Sequence, residues 1–255
     1  MVETASYPSL RDRVVFVSGG GSGIGAAIVR AFCAQGARVA FVDIDTATSQ
    51  ALCEEIGAED GPRPLFQHCD LRDIGQLRLA ITTAVEQLGS IRVLVNNAAN
   101  DDRHQIDDVT PDYWDDRMAV NLRHQFFAAQ AVYRGMAAAG GGSIVNLGSV
   151  SWMLGIGGMP AYTTAKAAVA GLTRSLARDL GPHNIRVNSV VPGHTWTERQ
   201  QELWMTPELE ADLMRHQSLP IKVQPEDIAR MVLFLAADDS AACSSQNYLV
   251  DGGWA

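Results

Sequence analysis

The sequence has few cysteines, and none of them lies in a motif that binds a metal or forms a redox pair. Cys33, Cys53, Cys69 and Cys243 are widely spaced, no two form a C-x-x-C pair, and no histidine completes a zinc-site spacing. Such thiols are typical of reduced, structural cysteines in the cytosol. We therefore expect a cytoplasmic protein without a metal site.

Long apolar runs and an excess of positive charge are also missing. No apolar run approaches the ~18 residues that a membrane span needs, and the polar N-terminus around Glu3 lacks the apolar segment of a signal peptide. A net charge of −9 argues against nucleic acid or an anionic membrane surface as a partner. The 255 residues, 47% of them hydrophobic, can instead bury a large core around a small-molecule site.

A strand, a glycine-rich turn and a helix open the chain. Residues 13–18 are apolar and β-branched, as in a buried parallel strand, and residues 26–35 have helical character. Gly19-Gly20-Gly21-Ser22-Gly23-Ile24-Gly25 lies between them. Glycines let the backbone approach a pyrophosphate, and the free N–H groups at a helix start bind it. A glycine run alone could be a flexible turn, but this position favours a dinucleotide site.

Asp43 ends a second buried strand, residues 39–43, and bears on the choice of cofactor. Its carboxylate can accept both hydroxyls of an adenosine ribose and would repel a 2′-phosphate, which favours NAD over NADP. Arg38 could clamp such a phosphate, but it lies five residues earlier, toward the other end of the strand. The alternative for Asp43 is a helix cap ahead of Thr46.

Strands and helices alternate along the rest of the chain. Strands are predicted at 66–70, 91–95, 143–149, 185–191 and about 248–253, and helices at 73–88, about 110–139, 161–180 and from 225 onward. This alternation predicts an α/β fold, a Rossmann-type doubly wound parallel sheet flanked by helices, in a single domain over residues 1–255. Residues 194–218 form the least regular stretch and are predicted to be a substrate loop or lid.

Polar residues follow the predicted strand ends, where ligands bind in such a sheet. Asp70 could contact an adenine edge or cap the next helix, and Asn96 and Asn97 could tie neighbouring strand ends together. The polar run 100–104 is either a solvated surface loop or a set of groups facing a polyhydroxylated substrate. Asn121 is disfavoured inside a helix, so its position needs a specific explanation.

Tyr162 and Lys166 lie four residues apart on the predicted helix 161–180, and therefore on one face of it. A neighbouring cation favours a phenolate, so we expect Lys166 to lower the pKa of Tyr162 and make it a general base. The alternative is a solvated helix surface. Ser149 ends a strand and could meet Tyr162 at the same cleft.

These motifs together closely resemble the short-chain dehydrogenase/reductase family from Val14 to Gly253. The resemblance rests on Ser18-Gly19, Gly23-Ile24-Gly25, Asp70, Asn96-Asn97-Ala98, Asn121, Ser149, Tyr162 with Lys166, and Pro192-Gly193 with Thr197. It implies that Tyr162 is the catalytic acid/base and that Ser149 orients the reacting oxygen. Lys166 would hold the nicotinamide ribose and lower the tyrosine pKa, and Asn121 would support a water in the proton relay.

The resemblance also implies a cofactor site and an assembly. The cofactor, NAD, would contact Ser18, Gly19, Ser22, Gly23, Ile24, Gly25, Asp43, Asp70, Leu71, Asn97, Ala98, Tyr162, Lys166, Pro192, Gly193, Thr195 and Thr197. Relatives commonly form tetramers through the two long helices, here about 112–138 and 161–180, which implies a homotetramer. The chain departs from the family at Ser18, usually Thr, and at Ala99, usually Gly, whose methyl would narrow the space near the cofactor.

Within the family, residues 97–104, 118–124 and 147–152 are similar to NAD-dependent aldose 1-dehydrogenases, such as those for D-xylose, L-arabinose or D-galactose. The reaction implied is oxidation of the C1 hydroxyl of a cyclic pentose or hexose to a lactone. Candidate sugar contacts are Asn100, Ser151, Trp152, His194 and Trp196, although the tryptophans could instead pack in the core or a subunit interface. The alternatives are a relative acting on an apolar alcohol or ketone, such as a steroid or 3-oxoacyl thioester, and a non-catalytic dinucleotide sensor.

Overall fold

The predicted alternation of strands and helices produces one parallel sheet. The computed structural model describes residues 4–58 and 62–255. Residues 1–3 and 59–61 lie outside the described residues, so the predicted domain over 1–255 and the expected lack of a signal peptide extend beyond them. The described strands are β1 (Val14–Ser18), β2 (Arg38–Asp43), β3 (Leu65–His68), β4 (Val93–Asn96), β5 (Gly142–Leu147), β6 (Ile185–Pro192) and β7 (Asn247–Val250). Their order is β3-β2-β1-β4-β5-β6-β7, with every pairing parallel. The Rossmann-type doubly wound prediction is therefore confirmed, and the strand order reverses between β1 and β4.

Helices cover both faces of this sheet. They are α1 (Gly23–Ala34), α2 (Thr46–Ala58), α3 (Ile74–Leu88), α4 (Pro111–Met118), α5 (His124–Ala138), α6 (Pro160–Leu180), α7 (Glu198–Leu203), α8 (Pro207–His216) and α9 (Pro225–Ala236). Among the described residues, no helix is both long and apolar enough to cross a membrane.

Alternate residues of each central strand supply two separate cores. In β1, Val15 and Val17 belong to the core that contains residues of α1, α2 and α9, whereas Val14 and Phe16 belong to the core that contains residues of α3, α5 and α6. Side chains of successive strand residues point to opposite faces, so a strand covered on both faces must be apolar throughout. Truncating the fully buried Phe16 to alanine would cost about 3–5 kcal/mol.

The long helix predicted over 110–139 is interrupted. Thr110 caps α4 by accepting a hydrogen bond from the Tyr113 amide, as its position predicts, but a π-helical turn, Ala119–Arg123, separates α4 from α5. Such turns are rare and insert an extra residue into the helix. Asn121 lies in this turn, which explains a polar residue where a regular helix interior would disfavour it.

Residues 194–218 are more ordered than their composition predicted. Thr197 caps α7 by accepting from the Gln200 amide, and Thr206 caps α8, with Pro207 at its first position, by accepting from the Leu209 amide. The expectation of an irregular stretch was therefore wrong. The Thr-Pro-Glu sequence at 206–208 carried the helix-start signal.

Candidate active site

The glycine loop joins β1 to α1 in a shape that only glycine permits at several positions. Gly19 and Gly23 have positive φ values, 66° and 52°, which disfavour other residues. A Cβ on Gly25 would lie 1.8 Å from the Gly19 carbonyl oxygen. Ser22, the N-cap of α1, makes no side-chain cap bond to any described residue, so the first amides of the helix keep free donors. This donor set and the missing side chains fit a pyrophosphate.

Asp43 supports the glycine loop from the end of β2. Its Oδ2 accepts from the Gly21 amide at 2.9 Å, and its Oδ1 accepts from the Asp45 amide at 3.0 Å. Asp45 itself accepts from the Ala47 and Thr48 amides at the start of α2, so the helix-capping alternative for Asp43 was wrong. Arg38 donates to the Leu88 carbonyl at the opposite end of the sheet.

Asp70 and Leu71 follow β3. Asp70 pairs with Arg72 at 2.7 Å, and the hydrogen bond from that guanidinium is the main cause of the lowered pKa of Asp70. Asp73, not Asp70, caps α3 by accepting from the Gly75 and Gln76 amides. The capping alternative for Asp70 was therefore wrong, and its contact with an adenine stays a prediction; Leu71 is buried.

Asparagine side chains join the neighbouring ends of β1, β4 and β5. Asn96 Nδ2 donates to Asn146 Oδ1 at 2.8 Å, and Asn97 Nδ2 donates to the Ser18 and Gly19 carbonyls at 3.2 and 2.7 Å. Ser18 Oγ accepts from the Asn97 and Ala98 amides, so the serine hydroxyl braces this junction. The prediction that paired asparagines tie strand ends together is confirmed.

Asn121, in the π-helical turn, is fully buried and holds the segment that follows β4. Its Oδ1 accepts from the Asn100 amide at 2.8 Å, and its Nδ2 donates to the Asn100 and Arg117 carbonyls at 3.1 and 3.0 Å. The amide therefore fixes where the 100–104 loop starts.

Ser149, Tyr162 and Lys166 meet at the carboxyl ends of β5 and β6. Ser149 follows β5 and shares a hydrogen bond with Tyr162, and its Oγ also accepts from the Ser151 amide at 3.1 Å. Lys166 lies one turn after Tyr162 on α6, with Nζ 5.6 Å from the tyrosine ring centroid. The same Nζ donates to the Leu147 carbonyl at 2.8 Å, so it points inward rather than into solvent.

The pKa of Tyr162 differs from the sequence-based expectation. Burial raises it to about 12; the hydrogen bond with Ser149 and the charge of Arg103 lower it, and the charge of Asp101 raises it. Burial also lowers the pKa of Lys166, from 10.5 to about 8. The expectation that Lys166 lowers the tyrosine pKa was wrong for the protein residues by themselves, because sequence spacing cannot show that both groups are enclosed.

A cleft of about 200 Å³ opens over these three residues. Its wall contains many predicted residues, namely Ile24, Asn97, Ser149, Ser151, Tyr162, Lys166, Pro192, Gly193, His194, Thr195 and Thr197. Residues that sequence reasoning did not assign individually also line it, namely Asp101, Arg103, Ile156, Met159, Gln200 and Trp254. The polar run 100–104 signalled the first two, whereas Gln200 and Trp254 come from distant segments without a motif.

Two of the candidate sugar contacts, Ser151 and His194, reach this wall, and three do not. Ser151 Oγ and His194 Nε2 are buried and have no hydrogen-bond partner among the described residues. Trp196 is buried between His194, at a ring-centroid distance of 5.9 Å, and Lys222, whose Nζ lies 4.1 Å from its ring centroid. Trp152 is 37% exposed, and Asn100 is bound through its backbone to Asn121; neither lines the cleft.

A larger cavity, about 460 Å³, lies around the start of α9 and the end of β7. None of Ser149, Tyr162 and Lys166 lines this cavity, so its larger volume does not make it the candidate active site.

Known proteins are similar to this chain over nearly its whole length. The family model described as enoyl-(acyl carrier protein) reductase matches residues 19–255. A curated protein of Rhizobium meliloti, "Probable galactose dehydrogenase GalD", is 52% identical over 98% of both chains. The chain belongs to the short-chain dehydrogenase/reductase family. The D-xylose 1-dehydrogenase of Caulobacter vibrioides is 47% identical over 99% of this chain and 100% of its own.

Solved structures agree with this membership. The 7α-hydroxysteroid dehydrogenase complexed with NADH and 7-oxo glycochenodeoxycholic acid superposes with a TM-score of 0.92 at 30% identity, covering 97% of this chain and 96% of that one. The protein is therefore an oxidoreductase of CH–OH groups with a nicotinamide dinucleotide as cofactor, as this family membership and the glycine loop both indicate.

Proposed function

We propose that this short-chain dehydrogenase/reductase oxidises the C1 hydroxyl of a cyclic aldose to a lactone, with NAD as the cofactor. The observation that carries the proposal is the convergence of Ser149, Tyr162 and Lys166 on a cleft whose wall also holds polar atoms without a hydrogen-bond partner among the described residues. The relatives named for galactose and D-xylose support the substrate class. A cyclic aldose presents one reactive hydroxyl and several others that can bind such a wall.

The catalytic roles follow from the contacts of each group. Tyr162 Oη removes the proton of the C1 hydroxyl, and Ser149 Oγ holds the same oxygen by a hydrogen bond. With a pKa of about 12 the buried phenol of Tyr162 stays protonated at neutral pH and cannot accept a proton, so proton removal needs further positive charge beside the tyrosine to favour the phenolate. Lys166 Nζ, close beneath the ring, can supply part of it and can also donate to the nicotinamide ribose.

Asn121 acts at a distance from the reacting oxygen in this proposal. Its side chain is committed to the backbone of Asn100 and Arg117. We assign it the support of the cleft wall, together with the water of the proton relay that the family resemblance implies. The relay would carry the proton away from Tyr162 toward solvent.

The dinucleotide would lie across the strand ends, where its nicotinamide would accept the hydride, the C1 hydrogen with its electron pair, while the hydroxyl proton goes to Tyr162. The amides of the glycine loop, with Ser22, Gly23, Ile24 and Gly25, would bind the pyrophosphate, and Thr195 and Thr197, in the cleft wall, would face the nicotinamide side. The rest of the dinucleotide-binding surface would be formed by Ser18, Gly19, Asn97, Ala98, Pro192 and Gly193. Asp70 and Leu71 would flank the adenine.

The preference for NAD over NADP rests on Asp43. Each of its oxygens accepts one backbone hydrogen bond, which leaves lone pairs for the ribose hydroxyls. The next residue is Ile44, which is 66% exposed and carries no positive charge that could pair with a 2′-phosphate. Arg38 is bound at the far end of the strand.

For the sugar itself, we assign hydrogen bonds to His194 and Ser151. Burial lowers the pKa of His194, so its imidazole is neutral at neutral pH and can donate or accept as the sugar requires. Trp196 packs behind His194, so we assign it the orientation of the imidazole rather than stacking on the sugar ring. Asn100 and Trp152 do not line the cleft, so we assign neither a sugar contact; the 194–218 segment remains the proposed substrate loop or lid.

Assembly and location complete the proposal. The exposed side chains of Trp114 on α4 and Phe126 on α5, both in the segment 112–138 expected at the interface, suit burial in a homotetramer. All four cysteines are free thiols, which suits the reducing cytoplasm, where nicotinamide dinucleotides are available.

A substrate panel tests the proposed function. The purified chain is mixed with NAD and with D-galactose, L-arabinose, D-xylose, a hydroxysteroid or a 3-hydroxyacyl thioester, and NADH absorbance is followed. We expect turnover on aldoses. Activity confined to the apolar alcohols would refute the sugar assignment, and NAD binding without turnover on any compound would favour the dinucleotide sensor.

A further inference from the structure

The 100–104 loop and helix α7 are joined by polar contacts at the mouth of the cleft. Asp101 Oδ2 accepts from Gln200 Nε2 at 2.6 Å, and its Oδ1 lies 3.6 Å from Arg199 Nε. Asp102, the next residue, accepts from Arg199 Nη2 at 2.6 Å and lies 3.4 Å from Arg117 Nη1. Two neighbouring carboxylates therefore hold the same helix.

The two carboxylates differ in what else they face. Asp101 is 19% exposed and is the one acidic side chain among the described residues that line the cleft, whereas Asp102 is 48% exposed and lies outside the lining. The charge of Asp101 reaches Tyr162, Lys166 and His194, since it raises the pKa of all three. Asp101 is thus close to the reacting groups, and Asp102 is not.

The contacts with α7 do not exhaust the acceptor capacity of Asp101. A carboxylate can accept about four hydrogen bonds, and the bond from Gln200 accounts for one, while Arg199 adds an ion pair at 3.6 Å. A partly enclosed carboxylate with free lone pairs favours hydroxyl donors, and it penalises an apolar group that would cover it without a hydrogen bond. Arg103 and His194 on the same wall offer donors, so Asp101 is the complementary acceptor.

We propose that Asp101 determines substrate specificity by accepting a hydrogen bond from a ring hydroxyl other than the one at C1, with Gln200 and Arg199 holding the carboxylate in place. This inference rests on the proposed oxidation of an aldose. It explains how a cleft that a steroid or acyl chain could otherwise enter selects a polyhydroxylated ring. It also couples recognition of the sugar to the position of α7, because one carboxylate serves both.

Monodeoxy sugars test the proposal in combination with Asp101→Ala. The kcat/KM for D-galactose and its 2-, 3-, 4- and 6-deoxy analogues is measured for the wild-type protein, for Asp101→Ala and for the matched control Asp102→Ala. Asp102→Ala removes a neighbouring carboxylate and its contacts with Arg199 and Arg117 but no residue that lines the cleft. Asp101→Asn provides a second variant of nearly native shape, and thermal unfolding of each variant checks that it is folded.

We expect one deoxy analogue to lose about tenfold to a hundredfold in kcat/KM with the wild-type protein, the worth of a charge-assisted hydrogen bond. Removing the same sugar hydroxyl should lower kcat/KM of Asp101→Ala by less than about threefold, and that of Asp102→Ala by as much as in the wild type. The proposal is overturned if each deoxy analogue lowers kcat/KM of Asp101→Ala and Asp101→Asn by the same factor as that of the wild type. It is also overturned if Asp102→Ala becomes as insensitive to the missing hydroxyl as Asp101→Ala. A wild-type protein that oxidises no aldose would instead refute the proposed function.

Discussion

Replacing Asp43 by asparagine should narrow the preference for NAD over NADP. The substitution removes the charge but keeps one side-chain oxygen of the same shape, which can still accept from the Gly21 amide. Asp43→Ala is a poorer probe, because it leaves the amides of Gly21 and Asp45 without their acceptor and disturbs the glycine loop at the same time.

The magnitude follows from the charges at this strand end. A 2′-phosphate carries roughly −1.5 to −2 charges, and at about 4 Å from a carboxylate each pair of unit charges costs ~1 kcal/mol in bulk water and more near a protein surface. Loss of one ribose hydrogen bond to a charged acceptor adds about 1.5 kcal/mol. The wild-type preference for NAD should therefore be at least about 3 kcal/mol, or about a hundredfold. Asp43→Asn should reduce it about tenfold or more, chiefly through better use of NADP.

The assay is kcat/KM for each dinucleotide at a saturating aldose concentration, with a titration of each dinucleotide onto the protein to separate binding from turnover. Thermal unfolding without dinucleotide checks that the loop contact survives. A wild-type protein that uses both dinucleotides equally, or an unchanged ratio in Asp43→Asn, would refute the assignment of the ribose hydroxyls to Asp43.

Three further substitutions test the site and the fold. Tyr162→Phe should lower kcat by about a hundredfold or more while leaving NAD affinity within about twofold; substantial remaining turnover would remove Tyr162 from its role. Gly25→Ala forces a Cβ against the Gly19 carbonyl and should weaken or abolish NAD binding. Gly157→Ala, whose added Cβ would meet no atom of the described residues within 4 Å, should leave both NAD binding and thermal unfolding unchanged; equal effects of the two substitutions would contradict the close packing at Gly25. Because the pKa of Lys166 falls to about 8 on folding, the unfolded chain binds more protons between pH 8 and 10. The free energy of unfolding should therefore rise over that range by about 2 kcal/mol more in the wild type than in Lys166→Met, and equal slopes in urea unfolding would contradict this.

Local patterns predicted the fold well because the sheet is covered on both faces. Its strands are continuous apolar runs, and the helices between them carry caps and periodic apolar residues, so β1, β4 and α3 were found within two or three residues. The glycine loop was found for the same reason, since its steric requirement is local. The only sequence signal of the π-helical turn was Asn121, a residue disfavoured inside a helix. The turn itself could not be predicted, because it depends on the contacts of the buried Asn121 amide with Asn100.

The wall of the cleft was predicted less completely. Ser149, Tyr162 and His194 stand at strand ends or a helix start and could be placed from topology. Gln200 and Trp254 come from segments far along the chain, and no spacing rule connects them with Tyr162. Helices α7 and α8 were missed because they are short, at 6 and 10 residues, although Thr206-Pro207 marked a helix start.

The sequence by itself determined the parallel sheet, the dinucleotide loop and the residues able to do chemistry, because each depends on neighbours along the chain or on the side-chain alternation of buried strands. Only the tertiary structure decided how those residues behave. Enclosure raises the pKa of Tyr162 and lowers that of Lys166, and the meeting of the 100–104 loop with α7 places Asp101 in the cleft and Asp102 outside it. Burial and charge proximity arise from atoms distant in the chain, so no local pattern can specify them.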